Sequence, residues 1–193
     1  MAGKVVILSA PSGSGKTTLA RHLLSVEKLN FKFSVSATTR KKRDHEINGK
    51  DYFFFSPYEF KNSIENQDFI EYEKVYENMY YGTLKSEVNN LIVNHNIVFD
   101  VDVLGALSLK KYFKSLAISI FIKPPSIDVL EKRLIDRKKN DPIEIKERIK
   151  KAEIEMKTEA DFDTVIINED LDVAKQKLID KVEKFLKWKL VYF

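Results

Sequence analysis

Residues 10–17 read Ala-Pro-Ser-Gly-Ser-Gly-Lys-Thr (APSGSGKT). They stand between an apolar run, Val5 to Leu8, and a helical pattern carried by Leu19, Ala20, Leu23 and Leu24. A β-rich run, a glycine-bearing turn, and then Lys and Thr opening a helix is the context that defines a phosphate-binding loop. Gly13 and Gly15 lack a Cβ, so the backbone can curl and turn several N–H groups toward one phosphate. The helix behind adds unpaired N–H donors and the positive end of its dipole. In this reading Ala10, Pro11, Ser12, Gly13, Ser14, Gly15, Lys16, Thr17 and Thr18 form the phosphate cradle. Lys16 reaches the β- and γ-phosphates, and the Thr17 hydroxyl ligates Mg²⁺. The first glycine of the usual pattern is replaced by Ala10.

The rest of the composition narrows the class. At 193 residues the chain suits one α/β domain, or a core with a smaller inserted unit. No apolar run approaches the roughly 20 residues that span a bilayer, and the N-terminus reads as a first strand and not as a signal peptide. Cysteine is absent, which excludes disulfides and thiolate chemistry, and the expected setting is cytoplasmic, away from membranes. The net charge of +4 is a small difference between 33 basic and 29 acidic residues. Basic residues gather in short clusters, at 40–43, 133–139 and 146–151, and not in a stripe with interleaved aromatics. Discrete phosphates, and not a nucleic acid, are the partners such clusters fit.

Outward from the loop, a helix runs to near Val26. Residues 31–39 alternate as a strand, Asn48 and Gly49 make a turn, and Asp51 to Phe55 form the next strand. Ser56-Pro57-Tyr58-Glu59 is a helix start with a capping serine, proline in the first helical position and a returning glutamate. Strand-like Phe69 to Val75 and an aromatic-rich NMYYGT at 78–83 then break the βα rhythm, so residues 33–83 are expected to be an inserted small mixed β subdomain. The core is expected at 1–32, 84–136 and 160–193, as a parallel sheet flanked by helices with unbroken apolar strands at 97–101 and 116–122. Asp100 falls at the carboxyl end of one such strand, where an acidic residue of a P-loop protein meets the metal through water. A polar, Arg-bearing stretch at 137–159 reads as a helical lid. Asp163 to Asn168 is a last strand, and 172–190 a closing helix.

Several segments together resemble the guanylate kinase family of P-loop nucleoside monophosphate kinases, over nearly the whole chain. They are APSGSGKT, SVSATTRKKRDHEINGKDYFF (34–54), FIEYEKVYENMYYGT (69–83), FDVDVLG (99–105), RLIDR (133–137) and VIIN (165–168). The resemblance implies Mg²⁺-dependent transfer of the ATP γ-phosphoryl group to GMP within one domain, whose 33–83 unit closes over GMP. Carried over by position, Ser36, Arg40, Arg43, Tyr52 and Tyr81 hold the GMP phosphate, while Glu71, Thr83 and Asp102 read the guanine. Lys16 and Thr17 serve ATP and the metal, Asp100 lies beside Mg²⁺, Arg137 and Arg148 come from the lid, and Asn168 sits near the adenine. Lys16, Arg40, Arg43, Arg137 and Arg148 are the catalytic set.

The residue chemistry agrees with those roles. Guanine presents donors at N1 and its exocyclic amine, which match a carboxylate, and an acceptor at O6, which matches a hydroxyl. Arginines grip phosphate oxygens in a bidentate way that lysine cannot. The sequence departs from the family pattern at Lys42, His45 and Lys138, and its MYYG comes one residue late after Glu71. Two rivals keep the fold. An interaction module characteristically erodes the loop, which is kept here, and a kinase of a phosphorylated sugar has no use for the guanine-reading trio.

Overall fold

The computed structural model of the chain describes residues 3–76, 79–136 and 142–188. In chain order the elements are β1 (Val5–Ser9), α1 (Lys16–Ser25), β2 (Phe31–Phe33), β3 (Ala37–Thr38), β4 (Phe53–Phe54), α2 (Pro57–Glu65), β5 (Phe69–Tyr76), β6 (Met79–Leu84), α3 (Lys85–Ile92), β7 (Asn96–Asp100), α4 (Val103–Phe113), β8 (Ala117–Lys123), α5 (Ile127–Asp136), α6 (Pro142–Met156), β9 (Thr164–Ile167) and α7 (Leu171–Lys187). Arg137 and Lys138 lie outside the described residues.

Five strands form a parallel sheet in the order β2-β7-β1-β8-β9. The unbroken apolar run Val5 to Leu8 is explained by its place in the middle, where both faces are covered and every residue of β1 is fully buried. The pleat divides the strand between two layers. Val6 and Leu8 pack with Leu19 and Leu23 of α1 and with Ala174, Leu178 and Val182 of α7. Val5 and Ile7 pack on the other side with Val88 of α3 and with Val103, Ala106 and Leu109 of α4. Because β1 and β7 are parallel neighbours, with Leu8 level with Asp100, the loop after one and the aspartates after the other emerge together at the carboxyl ends. That is where ligands bind in open α/β sheets.

A second sheet, in the order β4-β3-β6-β5, is mixed. The β3–β4 pair is parallel, whereas β3–β6 and β5–β6 are antiparallel. The single strand expected over 31–39 is two strands in two sheets, β2 and β3. The chain leaves the core at Ser34, whose N–H donates to Val98 O at 3.1 Å. Helix α2 covers the second sheet with Phe60, which stacks on Phe69 at a centroid distance of 4.4 Å and lies 5.4 Å from Tyr80.

β5 carries two irregularities, between Phe69 and Glu71 and between Lys74 and Tyr76, each with two residues opposite one. Such bulges re-aim side chains, and the second lies between Glu71 and the MYYG segment. Among the described residues no helix is long and apolar enough to cross a membrane.

Candidate active site

At the mouth of the core sheet the chain after β1 turns through Gly13 and Gly15, with φ of 97° and 91°. Ala10 has no such φ and is buried at 6% exposure, so an alanine methyl is accommodated there without strain. Gly15 is the N-cap of α1, and a Cβ on it would run into the Asn168 amide. Asn168, expected beside an adenine, is buried behind the loop, where its Nδ2 donates to Ser14 O at 2.7 Å. Arg133 in turn donates to Asn168 O at 3.0 Å. The loop therefore rests on a polar brace from β9 and α5.

Lys16 Nζ pairs with Asp100 Oδ1 at 2.9 Å and also donates to Val101 O. Thr17 Oγ1 donates to the other oxygen of Asp100 at 2.8 Å. A hydroxyl and a carboxylate side by side are hard oxygen donors, suited to a cation that keeps most of its water. From α6, Arg148 donates to Ser12 Oγ at 2.9 Å and so reaches the loop from above.

The same cavity, about 550 Å³, runs from this loop to the face of the second sheet. Its far wall is rich in carboxylates. Glu71 and Glu73 alternate onto one face of β5, opposite Thr83 and Tyr81. Thr83 Oγ1 donates to Glu71 Oε1 at 2.5 Å. Asp102 caps α4 by accepting from Gly105 N at 2.8 Å, and a Cβ on Gly105 would meet both Asp102 and Glu71. Burial raises the Glu71 pKa against the lowering hydrogen bond of Thr83. Glu73 is pushed up to about 8, first by a hydrogen bond shared with Asp102, then by burial and the Asp102 charge.

Beside this wall the chain folds an arginine clamp. Arg40 grips Glu46 in a two-pronged ion pair, at 2.6 and 3.0 Å, with its guanidinium over the rings of Tyr52 and Phe54. Glu46 also accepts from Arg43 N at 2.8 Å. Lys42, one of the departures, donates to Glu46 O at 3.0 Å and so joins the same loop.

The cavity is lined by Ala10 to Gly13, Gly15 to Thr18, Ser36, Tyr52, Glu71, Tyr81, Asp100, Asp102 and Arg148, among the residues expected from the sequence. Tyr81 faces it, while Tyr80 turns away to Phe60. Arg40, Arg43, Thr83, Ser14 and Asn168 are not among its lining residues, and Arg43 is exposed. Sequence reasoning gave no site role to Glu46, Arg133, Lys151 or Glu155, and met Glu73 only as the alternative to Glu71 two residues away. Glu46 stood inside the quoted 34–54 segment, and Lys151 and Glu155 follow Arg148 at helical spacing, so a signal for each was present.

A glycine loop that opens onto a helix N-terminus, joined through one cavity to a second, carboxylate-walled chamber, is the layout of a P-loop phosphotransferase with separate donor and acceptor places. A solved shikimate kinase from Acinetobacter baumannii matches the fold with a TM-score of 0.52 at 18% identity, over 97% of this chain and 96% of that one. The relationship is much tighter elsewhere. The guanylate kinase family model matches residues 2–185, and the chain belongs to the guanylate kinase family. It is 50% identical to a guanylate kinase of Bacteroides fragilis over 95% of this chain and 90% of that one. It is 46% identical to that of Porphyromonas gingivalis, over 95% and 98%. The crystal structure of guanylate kinase from Anaplasma phagocytophilum superposes with a TM-score of 0.77 at 28% identity, covering 97% of this chain and 88% of that one.

Proposed function

We propose that this chain transfers the γ-phosphoryl group of ATP to GMP, giving ADP and GDP. The observation that carries the reading is the single cavity in which the loop at Ala10–Thr18 faces Glu71, Asp102 and Tyr81. ATP phosphates lie in the loop, held by its backbone N–H groups and by Lys16. GMP lies against the second sheet. Its guanine donors meet the carboxylates of Glu71 and Asp102, and its O6 meets the Thr83 hydroxyl once Thr83 swings from Glu71. Arg40 and Arg43, with Ser36, Tyr52 and Tyr81, hold its phosphate.

A GMP phosphate oxygen attacks the γ-phosphorus, the bond to the β-phosphate oxygen breaks, and the electron pair leaves with ADP. No covalent enzyme intermediate is needed, because the work is alignment and neutralisation of charge on the moving group. Lys16 supplies charge from the loop. Arg148 does so from α6, acting with Arg137 as part of a lid at 137–159 that excludes water. Thr17 and Asp100 would hold Mg²⁺, largely through water, and that ion would supply further charge neutralisation. Asn168 acts from behind the loop.

Guanine specificity follows from the cost of leaving buried polar groups unpaired. Adenine offers no donor at N1 to a carboxylate and presents a donor where O6 would be, so AMP is expected to be at least several hundredfold worse in kcat/KM, on the order seen for mismatched polar sites. A coupled assay of ADP release with GMP, AMP, CMP and UMP tests this directly. Turnover with GMP alone is the expected result, and no GMP-dependent ADP above background would overturn the proposal.

A further inference from the structure

The phosphate loop is held from behind as well as open in front. Ser14 is fully buried and does not line the cavity, whereas the next residue, Gly15, does. Ser14 O accepts from Asn168 Nδ2 at 2.7 Å, and Asn168 is itself only 3% exposed. In a trans peptide the carbonyl and the N–H that follows it point in opposite directions. Holding Ser14 O back toward Asn168 therefore aims the Gly15 N–H the other way, to the side on which Gly15 lines the cavity. That N–H stands at the N-cap of α1, where the helix dipole already favours an anion.

Asn168 is fixed tightly enough to act as such a stop. Its own N–H donates to Lys123 O at the end of β8, at 2.8 Å, and its carbonyl accepts from Arg133 of α5 at 3.0 Å. Helix α5 also backs the other glycine of the loop, since a Cβ on Gly13 would meet Leu130 and Leu134, both fully buried. The amide that donates to Ser14 is the group that a Cβ on Gly15 would strike. With its Nδ2 engaged by Ser14 and its Oδ1 buried too, the Asn168 side chain has no free edge with which to read a base.

We infer that Asn168 is a positioning residue for the donor phosphates, setting the Ser14–Gly15 peptide so that the Gly15 N–H faces them whatever base they carry. This rests on the loop being the donor half of the kinase reading. A side chain beside the adenine and a side chain behind the loop make opposite predictions for a donor that has no base.

Inorganic triphosphate is that probe. Asn168→Ala removes the donor to Ser14 O, and it is expected to weaken calorimetric binding of inorganic triphosphate and of ATP by the same factor, about tenfold, the scale of one hydrogen bond to a charged group. GMP binding is expected to stay within about twofold of wild type, because the acceptor chamber takes its geometry from other elements. Asn168→Asp is close in shape but cannot donate when ionised, and it is expected to lose more than Asn168→Ala, which a role in packing alone would not require. Where Asn168→Ala fails to fold, Asn168→Ser makes the same comparison. A loss for ATP with none for inorganic triphosphate would make Asn168 a base contact and overturn the inference. Unchanged binding of both, an equal loss for GMP, or a wild type that does not bind inorganic triphosphate would overturn it as well. A wild type that binds inorganic triphosphate, loses that binding in Asn168→Ala and yet gives no GMP-dependent ADP fails the kinase reading and leaves the positioning role standing.

Discussion

Glu46 is 7% exposed and takes three donors, two from the Arg40 guanidinium and one from the Arg43 backbone. Its carboxyl is held down to about 2 from an ordinary 4.5, chiefly by the Arg40 hydrogen bonds and next by the Arg43 N–H. The sign of the linkage follows. A carboxyl whose pKa is depressed in the folded state contributes stability that is complete above the unfolded value of 4.5, and it is lost as pH falls from there toward about 2. Thermal melts between pH 2.5 and 7 are therefore expected to show wild type losing stability below pH 4.5 more steeply than Glu46→Gln. Parallel curves for the two proteins would refute the assignment. The same variant releases one prong of the Arg40 clamp. KM for GMP is expected to rise about tenfold, with KM for ATP nearly constant, because the loosened arginine belongs to the acceptor chamber only. Equal increases for both substrates in steady-state kinetics would argue against that placement.

Helix α2 covers the second sheet, and its start is closed by a reciprocal pair. Ser56 Oγ accepts from Glu59 N at 3.2 Å, and Glu59 Oε2 accepts from Ser56 N at 2.7 Å. Ser56→Ala removes half of that box and is expected to cost about 1 kcal/mol, readable in urea unfolding as a lower midpoint with an unchanged slope. A loss below about 0.3 kcal/mol would mean that the cap contributes little beside the Phe60 stack. This start was legible in the sequence because capping is local, a matter of residue types at fixed offsets. The same holds for β1, the glycine loop and α7. The break between β2 and β3 was not legible, because both read as one alternating run from Phe31 to Thr39. What separates them is partner choice, Asn96 to Val98 for one and Phe53, Phe54, Tyr81 and Gly82 for the other. The bulges of β5 are hidden for the same reason. They place Glu71 opposite Thr83 and leave Glu73 in the cavity beside it, whereas spacing alone could not choose between two glutamates two residues apart. Asn168 shows the limit from another side, since a motif position gives proximity to the loop without saying that the side chain lies behind it.

Across the whole molecule, the cavity draws on both sheets, with the loop after β1 and the aspartates after β7 on one side, β5 and β6 on the other, and Arg148 of α6 reaching the loop. Lys16 belongs to the core sheet, tied to Asp100 and Val101 at the end of β7. It forms no hydrogen bond or ion pair with Glu71, Thr83, Tyr52 or the Arg40 clamp, which take their geometry from β5, β6 and the 40–54 loop. Removing it should therefore separate catalysis from acceptor binding. Lys16→Ala takes away a charge that faces the transferring phosphoryl, so kcat is expected to fall by at least about a hundredfold, the scale of losing one preorganised electrostatic contact. GMP affinity, measured by calorimetry without ATP, is expected to stay within about threefold of wild type, since truncating a contact remote from the base leaves its partners paired. ATP binding is expected to weaken in parallel with kcat. If GMP affinity collapsed together with turnover while the melting temperature held, the two chambers would have to be one site, and the division of the cavity into a core-sheet donor half and a second-sheet acceptor half would be wrong.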